Sequence, residues 1–175
     1  PQGRLDVVHL SPVQTVAALE TDAIYLALST GCMENQRRQV MTPAPPPLHS
    51  TTYTFDDALE VNEFYQEKGW TDGLPIVPPT AAQVEACLEA AHLAPGEVIG
   101  IERVRQRRLI AEKVAVNTVM AGCRPAYMPV VVAILRAMCQ EPFNLHGSSV
   151  STGGSAPFIV VNGPVRTAIG MNATH

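Results

Sequence analysis

Residues 111–125, AEKVAVNTVMAGCRP, constrain this chain more than any other stretch. They read as a helix whose charged and amide groups sit among apolar flanks, closed by a cysteine and a turn. At about 100° per residue, Lys113 and Asn117 lie one turn apart on one side, while Glu112 shares a line with Val116, Val119 and Cys123. Along an unbroken helix Glu112 and Cys123 are about 16 Å apart and cannot touch. Lys113 is one of two lysines, the other being Lys68. A lysine inside an apolar run needs a partner or a function, because an unpaired buried charge is costly. An ion pair that fixes helix packing and a role in chemistry are both open.

Apolar residues make up 46% of the 175 and charged residues only 16%, a balance that suits an oligomer or a subunit. The net charge of −4 argues against general binding to nucleic acid or to an anionic membrane. Locally the sign reverses: Arg103, Arg105, Arg107 and Arg108 form a basic cluster before the central helix. It is either a solvated face or a site for an anion or acidic partner. Cys32, Cys87, Cys123 and Cys139 show no CxxC spacing and no paired Cys/His cadence, so no structural zinc site is expected. No signal peptide or membrane-spanning run is visible, since the apolar run at 130–138 is too short to span a bilayer. Free thiols in a reducing cytoplasm are the expectation.

In chain order, Ser11-Pro12 caps a predicted helix over 13–28 that ends at Gly31, leaving Cys32 in a turn beside Arg37 and Arg38. TPAPPPLHS, 42–50, is a proline-rich connector and the best internal boundary. The expected organisation is an N-terminal helical arm (1–41), a linker (42–52) and an α/β module (53–175). Thr54 opens a second helix with Asp57 at the box position, and Gly69 closes it. WTDGLPIVPPT, 70–80, then gives a turn at Asp72-Gly73 and a rigid extended segment; Trp70 is a ring suited to wall a pocket, and Asp72 is either a functional carboxylate or an Asx-turn residue. Thr80 and Gln83 form a capping box for a helix with Val84, Leu88 and Ala91 inward. A short strand is expected at 97–101, an apolar core or interface helix at 130–140 with Pro129 in its first turn, and a strand at 158–162. Between the last two lies NLHGSSVSTGGSAP, read as a loop whose freed amides at Gly147, Gly153 and Gly154 suit an anion or a substrate carbonyl, with His146 nearby.

The blocks WTDGLPIVPPT, AEKVAVNTVMAGCRPAYMPVVVA, FNLHG and APFIVVNGPVR together resemble the C-terminal region of the UGSC family. This bacterial group of (seleno)proteins is named for a Sec/Cys-Gly-Ser-Cys motif in a separate N-terminal domain. The resemblance runs from Trp70 to Met171, over half the chain. It implies a shared scaffold and a catalytic or ligand pocket near Glu112, Lys113, Asn117 and Cys123. The UGSC motif itself is absent, and STGCMENQ around Cys32 does not replace it, so thiol or selenol chemistry does not carry over. Family members continue past the IGMN block into a further glycine- and asparagine-rich segment, which makes this chain resemble an N-terminal portion of something longer.

The fold expected is α/β, helix-rich with a small sheet, completed by a second chain or a further C-terminal segment. The functional expectation is the N-terminal chain of a processed, autocleaved, heteromeric enzyme, a heterodimer within a higher oligomer. It acts on a small polar molecule by hydrolase- or lyase-type chemistry, with no cofactor identified, since no nucleotide fingerprint or cluster-ligand spacing occurs. Asp72, Glu112 and Lys113 are acid–base or electrostatic candidates, Asn117 a hydrogen-bonding group and Cys123 a nucleophile candidate. His175 would stand beside a new amino terminus on the second chain. Trp70, His146, Ser149, Thr152, Gly153, Asn172 and Thr174 are the substrate-binding candidates. Two alternatives stand beside this reading: a metal-dependent enzyme using His146, Cys123 and a carboxylate, and a non-catalytic assembly subunit.

Overall fold

The computed structural model describes residues 5–8, 47–154 and 156–171. The architecture is helix-rich α/β, with two small antiparallel sheets of two strands each among the described residues. The chain divides into two compact units. The first takes in the described residues 5–8, 47–98 and 109–129, and the second takes in 99–108, 130–154 and 156–171.

The first unit opens with strands β1 (Leu5–Val8) and β2 (Thr52–Phe55), paired antiparallel with Leu5 opposite Phe55 and Val8 opposite Thr52. This pairing corrects the expected helix start at Thr54. Thr54 is held extended in the ladder, and the helix waits until Asp57, whose carboxylate accepts from the amides of Leu59 (2.8 Å) and Glu60 (2.9 Å). Helix α1 (Ala58–Glu67) ends as expected at Gly69, whose φ of +65° suits the left-handed C-terminal position. There Gly69 N–H reaches the Gln66 carbonyl and Trp70 N–H the Tyr65 carbonyl, which closes a Schellman motif. Phe55, Val61 and Tyr65 form a core cluster that Tyr53, Phe64, Trp70, Ile76 and Met120 flank.

The rigid segment after Trp70 is tied down by groups that sequence reasoning overlooked. Asn62 of α1 accepts from the Ile76 amide at 2.7 Å, and the Val77 amide donates to the Met120 carbonyl at 3.2 Å. Thr80 and Gln83 then form the predicted capping box of α2 (Ala81–Ala90). The central helix α3 (Ala111–Met120) packs on α2, burying Val84, Cys87 and Leu88 on one side and Ala115, Val116 and Val119 on the other.

Strands β3 (Val98–Glu102) and β4 (Arg107–Ile110) form a hairpin whose tip, 99–108, belongs to the second unit. Helix α4 (Met128–Met138) carries Pro129 in its first turn and buries Val130, Val132, Ala133, Ala137 and Met138, as its apolar sequence requires.

Two expectations for this unit fail. Residues 145–150, read as part of a loop, form the short helix α5 (Leu145–Val150), which Asn144 caps by accepting from the Gly147 amide. Residues 158–162 are not a strand among the described residues, although their sequence favours one. Phe158 is 76% exposed there, for a β-prone segment without a partner strand has no ladder to complete. Helix α6 (Pro164–Ala168) follows. With α5 and α6 the described α-helices number six, against four to five expected.

Candidate functional site

The central helix places Glu112 in the first unit almost wholly out of solvent, at 2% exposure. Its carboxylate accepts from the backbone amides of His49 (2.9 Å) and Ser50 (2.8 Å), more than sixty positions earlier in the chain. Burial works to raise the Glu112 carboxyl; the Ser50 hydroxyl, the two amides and the His49 imidazole outweigh it and hold it below the ordinary carboxylate range. Ser50 Oγ, although buried close by, makes no hydrogen bond of normal geometry among the described residues, so the two amides do the anchoring. Glu112 is thus a clamp on the end of the proline-rich segment.

Its neighbours on α3 have quieter roles. Lys113 is half-buried and has no carboxylate within ion-pair distance among the described residues. Asn117 lies one turn on, as predicted, and spends its side-chain amide on the Lys113 carbonyl at 2.8 Å. Burial pushes the Cys123 thiol up, and the Cys87 thiol too, there helped by nearby Cys123. Both thiols are thereby kept in the less nucleophilic form. Asp72 is exposed and accepts from the Leu74 amide at 3.1 Å, an Asx turn. Trp70 stands edge-on to Phe64 and Tyr65, with ring centroids 5.5 and 5.2 Å away, as part of the aromatic cluster. In the same cluster, burial and the neighbouring Tyr53 push the Tyr65 phenol up to about 12.

The second unit holds a different arrangement, wholly within its own residues. Between the hairpin tip and α4 lies an open cleft of about 540 Å³, lined by Arg103, Gln106, Arg136, Cys139 and Gln140. A narrower recess of about 170 Å³ shares Arg103, Cys139 and Gln140 and adds Glu102, Glu141 and His146. Gly100 permits the close approach of hairpin and helix, since a Cβ there would lie 2.6 Å from Cys139 Sγ.

Glu102 is the pivotal group of the recess. The hairpin turn aims the amides of Val104 (2.8 Å) and Arg105 (2.7 Å) at its carboxylate. His146 Nδ1 stands 3.9 Å away, an ion-pair contact when the imidazole is protonated but too long for a hydrogen bond. Desolvation acts to raise Glu102, yet the two amides, His146 and Arg105 hold it below the ordinary range. Cys139 is pushed up by burial and by Glu102, against a smaller opposing effect of the Ile101 amide. It is therefore a neutral thiol on the wall. Arg103 also reaches Glu141 at 3.1 Å across the surface.

Of the predicted site residues, the recess contains His146. Ser149 donates from its hydroxyl to the His146 carbonyl at 3.3 Å, and Gly153 N–H donates to Ser151 Oγ at 3.0 Å. Thr152 is exposed. Asn172, Thr174 and His175 lie outside the described residues, as do Cys32 and the helix predicted over 13–28. Glu102 was missed. Its signal was a carboxylate at the end of a predicted strand and the start of an arginine-rich turn. Among the described residues, no three His, Cys, Asp or Glu side chains are grouped to hold a metal ion, and no helix is long and apolar enough to cross a membrane. No protein-family model, curated protein or solved structure matches this chain.

Proposed function

We propose that this chain is an enzyme, or the catalytic part of one, that acts on a small polar molecule by acid–base chemistry of the hydrolase or lyase kind in the hairpin–helix groove. The observation that carries this reading is Glu102 beside His146 in a recess that opens on a larger cleft. An ionised carboxylate next to an imidazole stabilises the imidazolium and turns the ring so that Nε2 is left for the substrate. His146 would then take a proton from the substrate, or from water, and return it to the leaving group. Cys139, kept neutral, shapes the wall and is not the nucleophile. The groove residues fall inside 70–171, the span that resembles the UGSC family, which supports a site on that scaffold.

The test is turnover by purified protein on a panel of small esters, amides and hydroxy acids, repeated with His146→Asn. Loss of the general acid–base group should lower kcat by about 10²–10⁴-fold with the fold unchanged by circular dichroism. An active wild type and an equally active variant would remove His146 from the chemistry.

A further inference from the structure

The groove is electrically two-sided. The larger cleft is lined by two guanidinium groups and two carboxamides, and no Asp or Glu lies in its wall. Glu102 and Glu141 belong to the narrower recess beside it. Gln106 and Gln140 each donate one side-chain N–H to a nearby backbone carbonyl, of Arg103 and Arg136 respectively. A carboxamide carries a second N–H and an acceptor oxygen. Arg103 is held to Glu141 only by an exposed contact, with the two side chains 59% and 82% accessible. Such a pair is weak, so an incoming anion can replace Glu141 as the partner of Arg103.

Building on the proposed acid–base reading, we propose that the larger cleft is an anion subsite. It takes the carboxylate or phosphate group of a small substrate between Arg103 and Arg136, with the reacting end toward Glu102 and His146. The guanidinium fork suits these planar or tetrahedral oxyanions through paired N–H donors. A cleft of about 540 Å³ admits a molecule of metabolite size, well beyond a single ion. The arginine-rich turn thus divides its work: Arg103 faces the cleft, whereas Arg107 on β4 is absent from its lining.

The experiment titrates the full chain with malonate and, separately, inorganic phosphate at constant ionic strength. Binding is followed by the NMR signals of arginine Nε–H groups and of the Cys139 amide. The expected result is a saturable shift confined to the groove, with the two probes ranking the carboxylate against the phosphate. Arg136→Met and Arg103→Met should each weaken binding by about tenfold or more, while Arg107→Met leaves it unchanged. Glu141→Gln should tighten it, a gain that a merely structural role for Arg103 does not produce. A linear, non-saturating response to both probes, or equal responses in wild type and both arginine variants, overturns the subsite. If one arginine variant fails to fold, the other and Glu141→Gln still decide. Anion binding that survives in a protein whose His146→Asn form keeps full turnover would leave the subsite standing and remove the acid–base reading. The reverse pattern would remove the subsite alone.

Discussion

Glu112 and Glu102 are the same side chain in nearly the same local chemistry, and they do opposite things. Each carboxylate accepts two backbone amides at 2.7–2.9 Å, and each is held below the ordinary carboxylate range against the effect of desolvation. The amides on Glu112 come from a distant segment, and the carboxylate is sealed at 2% exposure. Those on Glu102 come from the next turn of chain, and its side chain, 14% exposed, still faces an imidazole in an open recess. A carboxylate that spends its acceptors across the fold is a fastener. One whose acceptors are satisfied locally is positioned, with a face left for chemistry. A depressed pKa alone does not separate the two.

The sharpest way to break this contrast is to neutralise each glutamate in turn. Glu102→Gln should cost about 10²–10⁴-fold in turnover, as loss of an acid–base partner does, with an unchanged melting temperature. Activity and calorimetric measurements on one preparation check both halves. Glu112→Ala should do the reverse. Removing a buried charged acceptor from two amides should destabilise the first unit by about 2–4 kcal/mol, read by denaturant unfolding, with faster amide exchange at Ser50. Turnover per folded molecule should stay at the wild-type level.

The pH dependence sharpens the comparison further. Because the folded-state pKa of Glu112 lies below its unfolded value of about 4.3, its stabilisation is fully present above that value and is lost as pH falls through the folded one. The stability gap between wild type and Glu112→Gln should therefore be constant near neutrality and narrow below about pH 4. A gap that widened on acidification would contradict the clamp. The smallest effect is expected at Asp72, a third carboxylate that accepts one exposed amide. Asp72→Ala should shift stability by only about 0.5 kcal/mol and leave turnover intact.

These contrasts track what was legible in the sequence. The Asx turn at Asp72, the box at Thr80 and Gln83, and the closure at Gly69 depend on hydrogen bonds spanning five residues or fewer, so residue order reveals them. Asn117 was placed correctly against Lys113 for the same reason. The search for a partner to the polar groups of α3 pointed to the right helix but favoured the wrong segments. Backbone amides at His49 and Ser50 met Glu112, and side-chain type carries no trace of that choice. Trp70 was expected to wall a pocket, whereas the aromatic cluster claimed it once β2 and α1 had brought Tyr53, Phe64 and Tyr65 together.

By itself, the sequence determined the helices from α1 to α4, their caps with the exception of the start of α1, the strand that leads into the arginine-rich turn, and the helix-rich α/β class. Apolar periodicity and capping chemistry are properties of neighbouring residues. Tertiary structure decided the rest. Thr54 became strand because Leu5–Val8 lies alongside it, and residues 158–162 stayed irregular because no described strand does the same for them. It also made one glutamate a clamp and set the other beside His146. Strand pairing and carboxylate environment are set by groups distant in the chain, and the folded arrangement alone brings those groups within reach.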